Sequence, residues 1–306
     1  MSAPVQLNGQ AGVVVRSHAV RKVLTNPLGL LAVVVLAAVS AVALFAPMLA
    51  PIDPNYANIG KSLGAPDAAN LLGTDGVGRD IWSRMVYGAR TTLLSAVLCA
   101  GVAVGIGLPT GLIAGYYGGR FDGVASWFVN VTLSLPGIIV LLAVRAAFGP
   151  SVWISMIAFG ILISPSYFRL TRTAVQSVRN ELYVDAARVS GLSDRSIIAR
   201  HIFAVVRAPI IIQTAMVCGF AIAIQSGLEF LGLGDASTVS WGNNLFWAGN
   251  EGALLTGSWW VFVPSGVCIA LVAFALALIN YAVDEVTNPR LRKIKTPKDT
   301  ERSASK

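Results

Sequence analysis

The sequence predicts an all-α integral membrane protein of six transmembrane helices, with both termini on the cytoplasmic side. Three observations carry that prediction. Of the 306 residues, 55% are hydrophobic and only 12% charged, where a soluble domain has roughly 25% charged, and the mean hydropathy is +0.68. Six uncharged stretches approach the about 20 residues that a bilayer crossing needs. Lys and Arg gather in alternate loops, the pattern that fixes sidedness. The net charge of +8 would suggest nucleic acid in a soluble chain. Here it follows from the loop bias, and no nucleic-acid partner is expected.

The first span is expected at 28–50, behind Asn26-Pro27, a helix cap followed by proline at the first helical position. It is too long, and starts too far into the chain, for a typical cleaved signal peptide, although APMLAP at 46–51 imitates a small-residue cleavage site. The second span lies between Arg90 and Arg120, the third at 123–144 and the fourth at 151–168 behind FGP. The fifth is expected at 208–228 and the sixth at 259–283. Pro109 and Pro136 are candidate kinks. Residues 1–26 read as a basic tail, 27–287 as one membrane domain, and 288–306 as a basic, disordered tail.

The N-terminal tail has Arg16, Arg21 and Lys22 and no acid. The loop between spans four and five, about 169–207, has seven arginines: Arg169, Arg172, Arg179, Arg188, Arg195, Arg200 and Arg207. Loop 232–258 has no basic residue, and loop 1–2 balances its cations with Asp53, Asp67, Asp75 and Asp80. The 4–5 loop is therefore inside, and loops 1–2 and 5–6 are outside. The tryptophans of SWGNNLFWAG and GSWWVF suit an interfacial belt.

Inside the spans the residues speak to packing. Gly101 and Gly105, Gly107 and Gly111, and Gly111 and Gly115 stand four apart, the spacing by which membrane helices approach closely, and suggest an oligomeric bundle. Cys99, Cys218 and Cys268 have no metal-ligand spacing and read as small apolar residues, with no metal and no disulfide expected. Arg145 ends the third span. It either snorkels to the outer headgroups or faces a translocation path, where it would meet a substrate carboxylate. Glu229 ends the fifth span and could pair with Arg145 or contact a substrate amine. Gln225 and Ser226, a turn deeper, could line the same path.

The 4–5 loop holds DAARVSGLSDRSIIARHIF at 185–203. Residues 181–189 read as a short helix with Leu182, Ala186 and Val189 on one face. Gly191 suits a left-handed stop, and Ser193 the cap of a second helix with Ile197, Ile198 and Ile202 as its apolar stripe. On physics alone this corner could also be an amphipathic loop lying on anionic headgroups.

Asp185-Ala186-Ala187, then Gly191, then His201 resembles the EAA motif of binding-protein-dependent ABC transporter permeases. The chain departs from that motif with Asp185 in place of Glu, and reads His201-Ile202-Phe203-Ala204 where the family often has His-x-Leu-Pro. LLGTDGVGRDIWSRMVYGARTTLL (71–94), AGYYGGRFD (114–122), SLPGIIVLL (134–142) and LEFLGLGDASTVSWGNNL (228–245) are similar to dipeptide/oligopeptide/nickel permeases, in order, and most closely to their second, C-type subunit. Relatives usually have Ser at the position of Glu229.

The resemblance implies a type I ABC importer permease (MetI-like) fold in a bacterial plasma (inner) membrane. It implies that Asp185, Ala186, Ala187, Gly191, Ser193 and His201 form the coupling helix against an ATPase. The implied partners are a second homologous permease, two cytoplasmic ABC ATPase domains that bind ATP and Mg, an extracytoplasmic binding protein, membrane lipid and a peptide substrate, with nickel chelates or other peptide-like cargo as alternatives. The chain itself is expected to bind no cofactor and to have no ATPase activity, since no G-x-x-x-x-G-K-[ST] loop is present. GTDGVGRD (73–80) does not fit a nucleotide motif and reads as a structured outer loop, bracing the bundle or touching the binding protein. No serine–histidine–acid set supports a membrane protease; His18 and His201 are the only histidines, and His18 reads as solvated in the basic tail. The competing class is a gradient-driven transporter or a channel, which calls for ionisable relays within spans. A membrane scaffold would leave 71–94 unexplained.

Overall fold

The computed structural model describes residues 26–287. The predicted tails, apart from Asn26, lie outside the described residues. The elements are helical throughout that range: α1 (Pro27–Leu44), α2 (Ala46–Leu49), α3 (Ile81–Tyr117), α4 (Gly119–Ser134), α5 (Gly137–Phe148), α6 (Val152–Val178), α7 (Leu182–Val189), α8 (Asp194–Ile197), α9 (Phe203–Leu228), α10 (Trp241–Asn250) and α11 (Trp259–Thr287). Five helical runs are long and apolar enough to cross a membrane, and the count is six if α4 and α5, bent against each other, are taken as one span. Five of the six expected spans are thus present as helical runs, with changed limits, and the third corresponds to the bent pair.

Local chemistry explains the starts. Asn26 accepts from the Leu28 amide at 2.9 Å, with Pro27 as the first helical residue. The Asp80 carboxylate accepts from both the amide and the hydroxyl of Ser83 at 2.8 and 2.7 Å, so α3 begins at Ile81, well before Arg90. Arg84 and Arg90 extend the helix beyond its uncharged part, and an uncharged window cannot see that. For the same reason α6 runs on to Val178, and the charged residues 169–178 are helix rather than loop. The first span is shorter than expected, with α1 ending at Leu44 and the turn of α2 completing it.

The third span is the larger correction. It is not one helix over 123–144: α4 and α5 meet at 83°. Pro136 has no N–H and disfavours helical backbone at the residue before it; Leu135 is accordingly extended, at φ −81°, ψ 131°. Pro109, Pro165, Pro209 and Pro264 all sit inside continuous helices. Proline alone therefore does not break the chain.

Helices α3 and α6 form the central pair and run parallel, with the most extensive contact in the bundle. The glycine spacing explains it. A Cβ on Gly111 would meet Thr171 Cβ at 2.7 Å and the Phe168 carbonyl at 2.8 Å, and Gly115 stands as close to Val175. Gly107, Gly111 and Gly115 therefore serve packing within the chain, whereas Gly101 and Gly105 face open space. Helix α9 packs on α3 and α11, and α1 on α11 and α3. The principal core, with Ala100, Ala103, Met156, Tyr167 and Ile222 fully or nearly fully buried, lies among α3, α6 and α9.

Candidate functional site

One end of the bundle carries the arginine-rich corner. Gly191 joins α7 to α8 with φ +77°, the left-handed region that glycine adopts without steric cost. Its amide bonds the Arg188 carbonyl at 3.0 Å and the Leu192 amide bonds Ala187 at 3.1 Å, closing α7. Ser193 stands at the cap position of α8 with extended backbone, but its side chain makes no capping bond. His201 lies in a single π-helical turn, Ile198–Ile202, that feeds α9. Its ring is 6.4 Å from that of Tyr183. Asp185 is exposed and pairs with Arg188 at 3.0 Å, and Ala186 is exposed beside it.

Leu182, Ala186 and Val189 share one face of α7, and that face points outward. Val184 and Ala187 are buried against the bundle, while Leu182 and Val189 are 86% and 90% exposed. A short helix held by its minor face presents its larger apolar residues outward, with no cover among the described residues. The stripe on the following turn behaves as expected, with Ile197 and Ile202 fully buried and Ile198 partly so.

Two contacts tie this corner to the end of α3. The Tyr116 hydroxyl donates to Asp194 Oδ1 at 2.7 Å, and the Arg188 guanidinium stands 5.5 Å over the Tyr116 ring. Nearby, Arg172 of α6 makes a bidentate pair with Asp122 of α4, the Nη2–Oδ2 arm at 2.6 Å. Arg179 Nη1 donates to the Gly115 carbonyl at 3.0 Å. These contacts tie the ends of α3, α4 and α6 together beside the corner.

At the far end of the spans the structure gathers a buried polar chain. Ser95 of α3 donates to Gln225 Oε1; Gln225 Nε2 donates to Glu229 Oε1 at 3.2 Å; Ser240 Oγ donates to Glu229 Oε2 at 2.6 Å. Ser240 also caps α10 by accepting from the Asn243 amide at 3.1 Å. Gln225 and Glu229 are fully buried or nearly so. Arg145 does not reach the surface as a snorkelling residue would; it is 7% exposed. Its Nε donates to Ser155 Oγ at 3.0 Å and its Nη1 to the Leu233 carbonyl, while Nη2 is buried without a partner. Arg145 and Glu229 are not within ion-pair distance; each is held by neutral partners. Ser226 Oγ is also buried without one.

The same end is braced by the glycine-rich loop. Asp75 holds Arg79 at 2.6 Å, and Arg79 reaches Glu251 at 3.2 Å and stacks 4.7 Å over Trp247. The Gly76 amide donates to Glu251 Oε2 at 2.6 Å. Arg84 Nε donates to Asn244 Oδ1 at 3.0 Å. Burial first, then the charge of Asp75, pushes the Glu251 carboxyl above its usual range, against the Gly76 amide and Arg79. The loops 45–80 and 234–258 thus form one cap.

A groove of about 590 Å³ opens between α6, α9 and α11. Ala215, Gly219 and Ala223 line it from α9, Ala273 and Ala277 from α11, and Asn280 Oδ1 is buried there without a partner. Among the described residues no group of three His, Cys, Asp or Glu is placed to hold a metal, and Cys99, Cys218 and Cys268 are free thiols. Sequence reasoning missed Tyr116, Asp194, Ser95 and Ser240. Tyr116 sits in AGYYGGRFD, but nothing local signals which tyrosine of the pair turns inward.

Comparison with known proteins gives concordant results. Residues 107–293 match the family described as binding-protein-dependent transport system inner membrane component. Residues 17–66 match the N-terminal transmembrane domain of oligopeptide transport permease C. The chain is 32% identical over 266 residues to a probable D,D-dipeptide transport system permease protein of Escherichia coli (strain K12), covering 87% of this chain and 88% of that one. It is 33% identical to a dipeptide transport system permease protein of Alkalihalophilus pseudofirmus over 90% of each chain. It is also 33% identical to a di/tripeptide transport system permease protein of Pseudomonas aeruginosa, over 82% of this chain and 84% of the relative.

Proposed function

From the premise that this chain belongs to the family of binding-protein-dependent transport system inner membrane components, we propose that it is the C-type permease subunit of an ABC importer that carries di- or oligopeptides across a bacterial inner membrane. The relatives named for dipeptide, D,D-dipeptide and di/tripeptide transport support the cargo. The chain supplies the passage and no ATPase activity. ATP and Mg are bound by two cytoplasmic ATPase domains, and an extracytoplasmic binding protein delivers the peptide. Both termini and the corner at Gly191 lie in the cytoplasm.

One observation carries the mechanism: the exposed apolar pair Leu182 and Val189, on a helix fixed to the bundle through Val184, Ala187 and the Tyr116–Asp194 bond. An exposed apolar pair on a helix held this firmly suits a partner's groove, and the ATPase is that partner. Closure of the ATPases on ATP displaces α7. The Tyr116 and Arg179 contacts pass that displacement to α3, and the π-turn at His201 passes it to α9. The bundle tilts and opens outward to receive peptide; hydrolysis and release return it inward. Arg145, Gln225 and Glu229 stand behind the path and fix the α9 end that borders it. The small residues of the α9–α11 groove, four apart on each helix, receive a helix of the second permease.

The test is purification of the chain with a C-terminal tag from its native membranes, followed by identification of its partners by mass spectrometry. A second permease and an ATPase at stoichiometric amounts are expected. A homo-oligomer without an ATPase, across several detergents, would instead favour a gradient-driven carrier or channel.

A further inference from the structure

We infer that the turn between α10 and α11, residues 252–257, inserts Leu254 and Leu255 into the leaflet at the Trp259 end of α11 and so fastens the cap formed by loops 45–80 and 234–258 to lipid. In the orientation proposed above this is the outer leaflet. The insertion itself rests only on α11 being a span.

The level of the bilayer can be read from α11. Trp259, Val263, Val267, Leu271, Phe274 and Tyr281 are exposed and recur at intervals of four, three and seven, so they form one stripe along the helix. None of the six lines the groove between α6, α9 and α11. Trp and Tyr favour the two membrane–water interfaces. Trp259 and Tyr281 are 22 residues apart, about 33 Å of helix at 1.5 Å per residue, against a hydrocarbon core of about 30 Å. They bracket the core on the face that meets lipid, and the headgroup layer begins at Trp259.

The turn stands at that level. The four residues from Leu255 to Trp259 span at most about 14 Å, and the Ser258 amide bonds back to the Ala253 carbonyl at 2.9 Å, which keeps the turn close. Gly252 and Gly257 bound it in left-handed backbone, at φ +74° and +71°. The Leu255 and Thr256 amides return to the Gly252 carbonyl at 3.0 and 3.1 Å, and Thr256 Oγ1 meets Ser258 Oγ at 2.8 Å. Ala253 is fully buried, in a cluster with Ile81, Ala248 and Val261. A turn closed and pinned in this way cannot fold its tip inward. Leu254 and Leu255 project from it, 61% and 93% exposed.

Charge decides what they project into. The 32 residues from Gly252 to Val283 carry no charge, about twelve more than a crossing uses. Glu251, just before them, is turned into the cap, where it accepts from the Gly76 amide and from Arg79. Loop 45–80, by contrast, exposes Lys61 and Asp67 to water. A protein interface sets a polar rim around its apolar centre. Here the apolar tip instead continues the lipid-facing stripe of α11. Glu251 carries the fastening inward, because its carboxylate holds the glycine-rich loop through Gly76 and Arg79.

The test uses the full chain purified with its partners, carrying Cys99→Ala, Cys218→Ala and Cys268→Ala, with a nitrobenzoxadiazole fluorophore on Leu255→Cys or, as a second site, Leu254→Cys. Ile59→Cys, exposed in loop 45–80, reports water, and Leu271→Cys, on the α11 stripe, reports the hydrocarbon. The complex is placed in vesicles of phosphatidylethanolamine and phosphatidylglycerol. An interfacial side chain lies about 5–10 Å into the headgroup and acyl boundary, so the Leu255 probe should be quenched roughly twofold more by lipids spin-labelled near the headgroup than by lipids labelled at the chain end. The order of the two lipids should reverse at Leu271, and iodide in the water should quench only Ile59. Quenching of both turn probes by iodide, and by neither lipid, would put the turn in water and overturn the inference. Shielding of both from iodide and lipid alike would give the turn to a protein partner and also overturn it. Dithionite added outside native-side-out vesicles should bleach the Leu255 probe; bleaching only after the membrane is opened would reverse the orientation and leave the insertion standing.

Discussion

Tyr116 and Asp194, 78 positions apart in the chain, are joined by a 2.7 Å hydrogen bond from the phenol to the carboxylate. With the Arg188 guanidinium over the Tyr116 ring, it links the end of α3 to the corner around Gly191. A bond to a charged acceptor contributes about 1.5 kcal/mol at the low end of its range, which is about tenfold in the balance of docked and undocked corner. Tyr116→Phe should therefore lower peptide carried per ATP hydrolysed several-fold while leaving ATPase activity in place. Tyr117→Phe, whose ring is exposed, serves as the control. Equal loss of hydrolysis and uptake in Tyr116→Phe would mean that the bond only supports the fold.

Gly191 carries a backbone requirement rather than a packing one, because a Cβ there would touch nothing within 4 Å. An ordinary L-residue at this φ costs about 1–2 kcal/mol, and Asn less. Gly191→Val should insert normally yet uncouple hydrolysis from uptake, and Gly191→Asn should retain most coupling. Normal substrate-stimulated hydrolysis with normal uptake in Gly191→Val would remove the corner from the mechanism.

Substitution at the packed and at the open glycines of α3 should differ in its effect on stability. Gly111→Ala drives a methyl into Thr171 and the Phe168 carbonyl and should cost about 1–3 kcal/mol, read as a lowered unfolding midpoint in detergent. Gly101→Ala meets open space and should be neutral or slightly stabilising. The reverse order would mean that the α3–α6 contact is misplaced.

Glu251 gives a pH dependence. Its folded pKa is raised above 4.5 by burial and by Asp75, so the folded state binds the proton more tightly. The contribution to stability is fully present below about 4.5 and is lost as pH rises through the folded pKa. Glu251→Gln, neutral throughout, should gain on the parent chain between pH 5 and pH 7.5 when unfolding midpoints are compared. A difference that is constant across that range would show that the carboxyl does not titrate abnormally.

Much of this architecture is legible in the sequence because bilayer thickness sets the length of an uncharged run, and the five unbroken spans are found that way. Charge misleads at their ends: Arg84 and Arg172 lie inside helices and bond to Asn244 and Asp122, and those partners are distant in sequence. The elbow at Pro136 could be suspected but not sized, since Pro109 in the same kind of context leaves α3 continuous. The corner was legible through Gly191, whose role is local. The orientation of α7 was not, because Leu182 and Val189 look like core residues until the bundle is built without room for them. Arg145 shows the same limit: its partners Ser155 and Leu233 converge only in three dimensions.

The most direct measurement is uptake. The chain, its second permease, its ATPases and the binding protein are reconstituted in liposomes, and a labelled dipeptide is presented on the binding-protein side. Accumulation should require ATP on the opposite side and the binding protein, survive collapse of ion gradients by ionophores, and be abolished by omitting this chain. Accumulation that follows a proton or sodium gradient and ignores ATP would contradict the importer reading.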